Sequence, residues 1–73
     1  MDTENLLTMA NQIGAFYETM PERQQALQDI VSHIKKFWTP RMRAALLAHC
    51  DANTISGLSP VVQEALRIHR ELL

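Results

Sequence analysis

Three prolines divide this 73-residue chain into four segments, and each segment repeats apolar residues at the spacing of an α-helix. Proline suits the first turn of a helix, because it lacks an N–H that would be unpaired there and its φ is already helical. It also disfavours helix at the residue before it, so Pro21, Pro40 and Pro60 are each predicted to separate one helix from the next. The sequence therefore predicts an all-α fold, a small compact bundle of about four short helices, in a single domain over residues 1–73.

The first two helices are predicted from apolar stripes and a capping pattern. The first covers about Thr3–Glu18. Thr19 and Glu22 have the T-x-x-E spacing of a capping box, in which hydroxyl and carboxylate satisfy each other's backbone donors, so the second helix is predicted to start there and to run to about Trp38. The residues predicted to face the core are Leu6, Met9, Ala10, Ile13 and Tyr17 on the first helix, and Leu27, Ile30, Val31, Ile34 and then Phe37 or Trp38 on the second.

The last two helices are predicted from their caps. Thr39 and Ser59 are each followed by proline and are predicted to be the N-caps of the third and fourth helices. Between these helices, DANTISGLS at residues 51–59 is predicted to be a loop with a glycine suited to positive φ. The residues predicted to face the core are Met42, Ala45, Leu46 and His49 or Cys50 on the third helix, and Val62, Ala65, Leu66, His69 and Leu72 or Leu73 on the fourth.

Size and composition limit the class of protein. A core below about 70 to 80 residues rarely supplies more than about 3 to 5 kcal/mol, so small domains often depend on a disulfide, a metal or association. Cys50 is the only cysteine, which excludes an internal disulfide and is typical of a reducing compartment. The chain has no apolar run of the length that a membrane span needs, and its N-terminus MDTEN is unlike a signal peptide. These features predict a soluble, cytoplasmic protein with no membrane partner.

The basic residues are concentrated in one segment. KKFWTPRMR, residues 35–43, holds four of the seven Lys and Arg residues of a chain whose net charge is −1. Lys35 and Lys36 lie in the predicted last turn of a helix, where cations complement the helix dipole. Arg41 and Arg43 fall at the start of the next helix, where the dipole disfavours positive charge, so we predict that both bind a partner. The alternative is a surface ion pair with an acid of the first or second helix.

Neighbouring aromatic residues give a second indication of a partner. Phe16 and Tyr17 are adjacent on one predicted helix, and Phe37 and Trp38 are adjacent on another, so each pair of side chains diverges by about 100°. One member of each pair is expected in the core and the other on a surface. Tryptophan and arginine are enriched at interface hot spots, so Trp38 and Phe37 are predicted partner-binding residues, with the core as the alternative for Trp38.

The first helix offers a further predicted contact. Gly14 lies in the middle of this helix, where glycine costs about 1 kcal/mol relative to alanine, and such a glycine often marks the close approach of another backbone. Asn11 and Gln12 are able to form hydrogen bonds with a partner beside it. The alternatives are that the two polar side chains are simply solvated and that Gly14 faces the second helix or water.

Residues suited to catalysis are sparse. His33, His49, Cys50 and His69 are potential metal ligands, but none belongs to a motif with ligand spacing. The sequence has no serine elbow, glycine-rich phosphate loop or Cys/His nucleophile motif. We therefore predict no catalytic residue, no cofactor-binding residue and no metal site in this chain, and no enzymatic activity of its own.

Long strings of the sequence resemble one family. MANQIGAFYETMPERQQALQDIVSHIKKFWTPRMRAALLAH, residues 9–49, closely resembles the small delta subunit of cytoplasmic, NAD-dependent, molybdenum-containing formate dehydrogenases. MANQIG and HIKKFWTPRMR are the most specific pieces, and GLSPVVQEAL at residues 57–66 fits the C-terminal part of the family.

The resemblance implies a non-catalytic accessory subunit of an enzyme that oxidises formate to CO₂ and reduces NAD⁺. It implies that the molybdenum bis-guanine-dinucleotide cofactor, the iron–sulfur clusters and the FMN are held by the catalytic and other large subunits, which are the expected partners. The expected role is to stabilise or help assemble the complex. Two alternatives stay open: a transient chaperone for insertion of the molybdenum cofactor, and a small helix-turn-helix-like nucleic-acid-binding module. The net charge of −1 argues against nucleic acid.

Overall fold

The computed structural model describes residues 2–53 and 57–73 and contains four α-helices followed by one 3₁₀ turn. Within these residues there is no β-strand, so the all-α prediction is confirmed. The radius of gyration of 11.0 Å matches the value of about 11 Å expected for a compact chain of this length. The helices are α1 (Thr3–Tyr17), α2 (Arg23–Phe37), α3 (Pro40–Asn53) and α4 (Pro60–His69), and the 3₁₀ helix spans Arg70–Leu72.

Helix α2 lies at the centre of the packing. It contacts α1, α4 and the 3₁₀ helix, while α3 packs chiefly against α1. The predicted stripe of α2 is fully buried, and Ala26 joins it at the edge. Leu58 and Val61 were not predicted to face inward but are also buried. The buried residues are Leu6, Ala10, Ala26, Leu27, Ile30, Val31, Ile34, Trp38, Leu46, Leu58, Val61, Val62, Ala65 and Leu66.

The connection between α1 and α2 differs from the predicted capping box. The Thr19 hydroxyl donates to the backbone carbonyl of Phe16 at 3.0 Å, and Glu22, the actual N-cap of α2, makes no side-chain capping bond. The physical reason is competition between two helix ends. The last carbonyls of α1 need donors as much as the first N–H groups of α2 need acceptors, and Thr19 is nearer to the former.

The cap of α3 is confirmed and the predicted end of this helix is wrong. The Thr39 hydroxyl accepts a hydrogen bond from the backbone N–H of Met42 at 3.2 Å. The helix then continues to Asn53, so Asp51, Ala52 and Asn53 are helical and not part of a loop. Asp51 is held there by a pair of hydrogen bonds from Arg70. Residues 54–56 of the predicted loop lie outside the described residues.

The start of α4 is at the predicted place, but the side chain of its N-cap forms no capping bond among the described residues. Ser59 has the extended backbone of an N-cap, yet its hydroxyl is buried and makes no hydrogen bond among the described residues. The Gln63 side-chain amide donates to the Leu58 carbonyl at 2.7 Å, which ties the first turn of α4 to the residue before its N-cap. Gly57 has φ of 89°, which confirms the prediction of a glycine with positive φ in this connection.

Candidate functional site

The structure separates the seven predicted partner-binding residues into two groups. Three have exposed side chains: Gln12, Phe37 and Arg41. The other four make contacts inside the chain, and their binding to a partner stays a prediction. These four residues are Asn11, Gly14, Trp38 and Arg43.

Of the neighbouring residues Phe37 and Trp38, one lies in the core and the other on the surface, as the angle between their side chains required. The Trp38 indole is only 5% exposed and belongs to the core, whereas the Phe37 ring is 71% exposed. Trp38 follows the last residue of α2, and its extended backbone turns the indole back onto the bundle. The same division applies on α1, where Phe16 is 71% exposed and Tyr17 is half-buried against the core. The expectation of one inner and one outer aromatic in each pair is confirmed.

The positive charge of Arg43 at the start of α3 is compensated by acceptors of the same chain. Its Nη1 donates to the backbone carbonyls of Lys35 at 3.1 Å and Trp38 at 2.9 Å. These carbonyls belong to the C-terminal end of α2, where free acceptors and the negative end of the dipole favour a cation. The prediction considered only the helix that carries Arg43, and the end of the neighbouring helix supplies the compensation that this helix lacks.

Arg41 keeps the unfavourable position and gains no visible compensation. Its side chain is exposed and makes no hydrogen bond or ion pair with any described residue. Of the seven basic residues, Arg23 pairs with Glu64 at 2.7 Å and Arg70 pairs with Asp51 at 2.9 Å. Neither of these ion pairs involves the start of α3. Arg41 is therefore a stronger candidate for partner binding than Arg43.

Asn11 and Gly14 join α1 to the start of α4. The Asn11 side-chain amide donates to the Gly57 carbonyl at 3.0 Å, and its oxygen accepts from the Ser59 backbone N–H at 2.9 Å. A Cβ at Gly14 would lie 2.5 Å from Cγ2 of Val62. The close approach predicted for Gly14 thus occurs with α4 of the same chain and not with α2.

A row of four aromatic rings crosses from α1 to α2 on the outer surface. Phe16 and Tyr17 are edge-to-face at 5.0 Å, Tyr17 lies 6.2 Å from His33, and His33 lies 4.7 Å from Phe37. His33 and Phe37 are one helical turn apart, so they share a face of α2. Phe16 and His33 were not among the predicted binding residues. The neighbouring Phe16–Tyr17 pair was a signal for Phe16, but none in the sequence linked His33 to it.

This row forms one wall of an apolar groove between α1, α2 and the start of α3. The groove has a volume of about 630 Å³, and we call it the aromatic groove. Tyrosine, tryptophan, phenylalanine and methionine are the residue types enriched at protein interfaces, and methionine adapts its shape to a partner. The lining residues are Met9, Gln12, Ile13, Phe16, Tyr17, His33, Phe37, Trp38 and Met42.

Positive charge lies near the α2–α3 joint, beside the aromatic groove. Lys36 shares a smaller hollow with Tyr17, His33 and Phe37, and Arg41 directly precedes the groove residue Met42. No Asp or Glu occurs in residues 30–50. Asp29 lines the same hollow as Lys36 and accepts a hydrogen bond from Gln25 at 2.8 Å. Two exposed cations therefore lie near the α2–α3 joint, and the α1 residues that line the groove are uncharged.

A second groove, between α3 and α4, has a different character. It has a volume of about 480 Å³ and is flanked by the Asp51–Arg70 pair. The hydrogen bonds from Arg70 lower the pKa of Asp51, and the same contact raises the pKa of Arg70. Burial raises the pKa of the Cys50 thiol, which keeps this cysteine in its less reactive protonated form.

Residues 2–53 and 57–73 contain no cluster of three His, Cys, Asp or Glu side chains arranged to hold a metal ion. None of their helices has the length and the apolar character needed to span a membrane.

Comparison with known proteins identifies the family. The family model described as NADH-dependant formate dehydrogenase delta subunit FdsD matches residues 5–66, which is most of the chain. The matched segment includes most of α1, all of α2 and α3 and the first part of α4, and thus all of the aromatic groove. No curated protein and no solved structure matches the chain. The chain belongs to the family of delta subunits of NADH-dependent formate dehydrogenases.

Proposed function

We propose that this chain is a non-catalytic accessory subunit that binds the large catalytic subunit of the formate dehydrogenase and stabilises or helps to assemble the complex. Membership of the delta-subunit family supports the identity of the enzyme, an NADH-dependent formate dehydrogenase. The observation that carries the binding role is the pair of phenylalanine rings, Phe16 and Phe37, each 71% exposed beside a groove lined with methionine and aromatic side chains.

Exposed aromatic rings in such an arrangement are costly for a chain of this size. Single apolar side chains on a surface are ordinary, but a contiguous apolar patch on a small protein is typical of an interaction site. Moving two phenylalanine side chains from water into an interface would contribute about 1.5 to 3 kcal/mol each if they were fully buried. That gain is available only in a complex, which is the physical basis for assigning this chain a binding role.

The nucleic-acid alternative is weakened by how the basic residues are used. Arg23 and Arg70 are paired with carboxylates, and Arg43 is bonded to backbone carbonyls. Nucleic-acid affinity depends on several free cations that neutralise phosphates together. The aromatic groove also offers mainly apolar surface, which fits a protein partner better than a phosphate backbone.

The accessory role is tested by expressing the enzyme with and without this chain. We expect the yield of assembled complex to fall without it, while the turnover number per molybdenum in the complex that does form is unchanged. The large subunits are expected to hold the molybdenum cofactor, the iron–sulfur clusters and the FMN. A lower turnover number at full molybdenum content would contradict a purely accessory role.

The same preparation separates a subunit from a transient chaperone. A stoichiometric amount of this chain in purified active enzyme supports the permanent subunit. Its absence from active enzyme, combined with low molybdenum content when it is deleted, favours the chaperone for cofactor insertion. The cytoplasmic location stays a prediction from the sequence.

A further inference from the structure

We infer that the aromatic groove binds an amphipathic helix of the catalytic subunit, and that this helix presents bulky apolar side chains to the groove and carboxylates to Lys36 and Arg41. The inference rests on the proposed function and adds to it the surface used and the chemistry of the segment that occupies it.

The walls of the groove determine which kind of segment fits. They are the sides of α1 and α2, whose backbone groups are already bonded within each helix, so the groove has no strand edge that could pair with an extended peptide. Recognition must come from side chains. A helix that lays one apolar face into a groove between helices is the usual solution for such a surface.

The apolar lining determines the face that the segment presents. Phe16 and Phe37 stand at the two ends of the ring row, with Tyr17 and His33 between them. Residues one turn apart on a helix repeat along one face, so a row of large apolar side chains on the partner would lie along this row of rings. The flexible side chains of Met9 and Met42 would adjust to their shape.

The charges determine where the segment is acidic. Lys36 and Arg41 are both exposed, and neither makes a side-chain hydrogen bond or ion pair with a described residue. The C-terminus of α2 and the N-terminus of α3 meet at this joint, so their dipoles oppose each other there and the positive charge comes from the two side chains. Gln12, on the α1 side, is uncharged. Carboxylates of the partner are therefore favoured near the α2–α3 joint.

The first experiment identifies the occupant in the assembled enzyme. A photoreactive benzoylphenylalanine is placed at Phe16 or at Phe37, where it keeps an aromatic ring, and the purified complex is irradiated. We expect both positions to cross-link to one segment of the catalytic subunit that has helical apolar periodicity and flanking Asp or Glu. The control places the same amino acid at Arg67, an exposed residue of the α3–α4 groove, and should not label that segment.

The second experiment measures the contribution of each feature to affinity for the catalytic subunit. Replacing both phenylalanines by alanine should weaken binding about 10- to 100-fold, since aromatic anchors dominate interfaces. R41E should weaken it about tenfold, because it places like charge against the partner's carboxylates. R67E makes the same charge reversal outside the aromatic groove and should leave the affinity unchanged. The phenylalanine variant should retain its helical circular dichroism, since both rings lie at the surface.

The outcomes separate this inference from the proposed function. If the wild-type chain remains in the complex but Phe16 and Phe37 cross-link to nothing, to another copy of this chain or to a segment without acids, the inference is overturned and the accessory role stands. Equal affinities of wild type, R41E and the phenylalanine variant would have the same consequence. If the wild-type chain is absent from every form of the complex, the proposed function itself fails.

Discussion

Two arginines that are two positions apart have different roles because of what lies beside them. Both were predicted to be unfavourable at the start of α3. Arg43 reaches back to the carbonyls that end α2 and so holds the joint between the two helices. Arg41 points into solvent. Arg41 and Arg43 carry the same charge, and they differ in the direction of their side chains.

This difference gives a prediction with an internal control. R43A removes two hydrogen bonds from a charged donor to the end of α2, so we expect it to lower the free energy of unfolding by about 1 to 3 kcal/mol. R41A removes an exposed side chain and should change it by less than about 0.5 kcal/mol. Urea denaturation of the two variants measures both values. Similar losses in the two variants would contradict the role assigned to Arg43.

At the scale of helices, α1 and α4 are joined by a contact that requires the absence of a side chain. Gly14 is buried against Val61 and Val62, and Asn11 bonds to the backbone that leads into α4. The free-energy cost of placing glycine within a helix is offset at this position by the closer packing of two helices. The stability of this pair therefore depends on the fit between elements rather than on either helix alone.

The contact predicts an unusual result for G14A. Alanine favours a helix by about 1 kcal/mol over glycine, but its Cβ would lie 2.5 Å from Val62 Cγ2 and 3.0 Å from Val61 Cγ1. Overpacking of this kind costs about 1 to 3 kcal/mol, so the net effect should be destabilising. In a V62A background the nearest atom is removed, and the same change should cost less. Chemical denaturation of the double-mutant cycle tests this, and a stabilising G14A would refute it.

The ion pair between α3 and the C-terminal 3₁₀ helix makes a prediction about pH. The pKa of Asp51 is lowered in the folded chain by the hydrogen bonds from Arg70. The folded state therefore binds fewer protons than the unfolded state, and the stability that the pair contributes is present above the unfolded pKa and is lost as pH falls through the folded pKa. The stability difference between wild type and D51N should accordingly disappear in acid.

An NMR titration of the Asp51 carboxyl measures this shift directly. We expect its pKa to lie below the usual aspartate value in the wild type and to return toward that value in R70Q. Because the pair is solvent-exposed, added salt should reduce the shift. An identical pKa in wild type and R70Q would show that Arg70 is not the cause.

For the whole molecule, the small core and the exposed aromatic groove together determine how much stability depends on a partner. A chain of this length is expected to have a free energy of unfolding of about 3 to 5 kcal/mol when isolated. Part of its apolar surface is directed outward, so binding can add stability that its own core cannot. A partner at 100 times its dissociation constant would add about 2.7 kcal/mol.

We therefore predict that this chain unfolds at a higher temperature within the enzyme complex than alone. Hydrogen exchange of the α1 and α2 amides, measured by mass spectrometry on both samples, reports the difference without requiring reversible melting of the complex. The F37A variant should be nearly neutral in the isolated chain and should lose part of the added protection in the complex. Equal exchange of wild-type α1 and α2 in the two states would contradict stabilisation by binding.

The sequence by itself determined the number of helices, most of their boundaries and the buried stripe of α2, because these depend on periodicity and on caps that lie within a few residues. The tertiary structure alone decided which member of Phe37 and Trp38 is buried, what Arg43 binds and what Gly14 faces. These outcomes depend on the helix end or helix face that another part of the chain brings alongside. Local spacing sets the direction of a side chain relative to its own helix axis, and only the packing of the helices sets what lies in that direction.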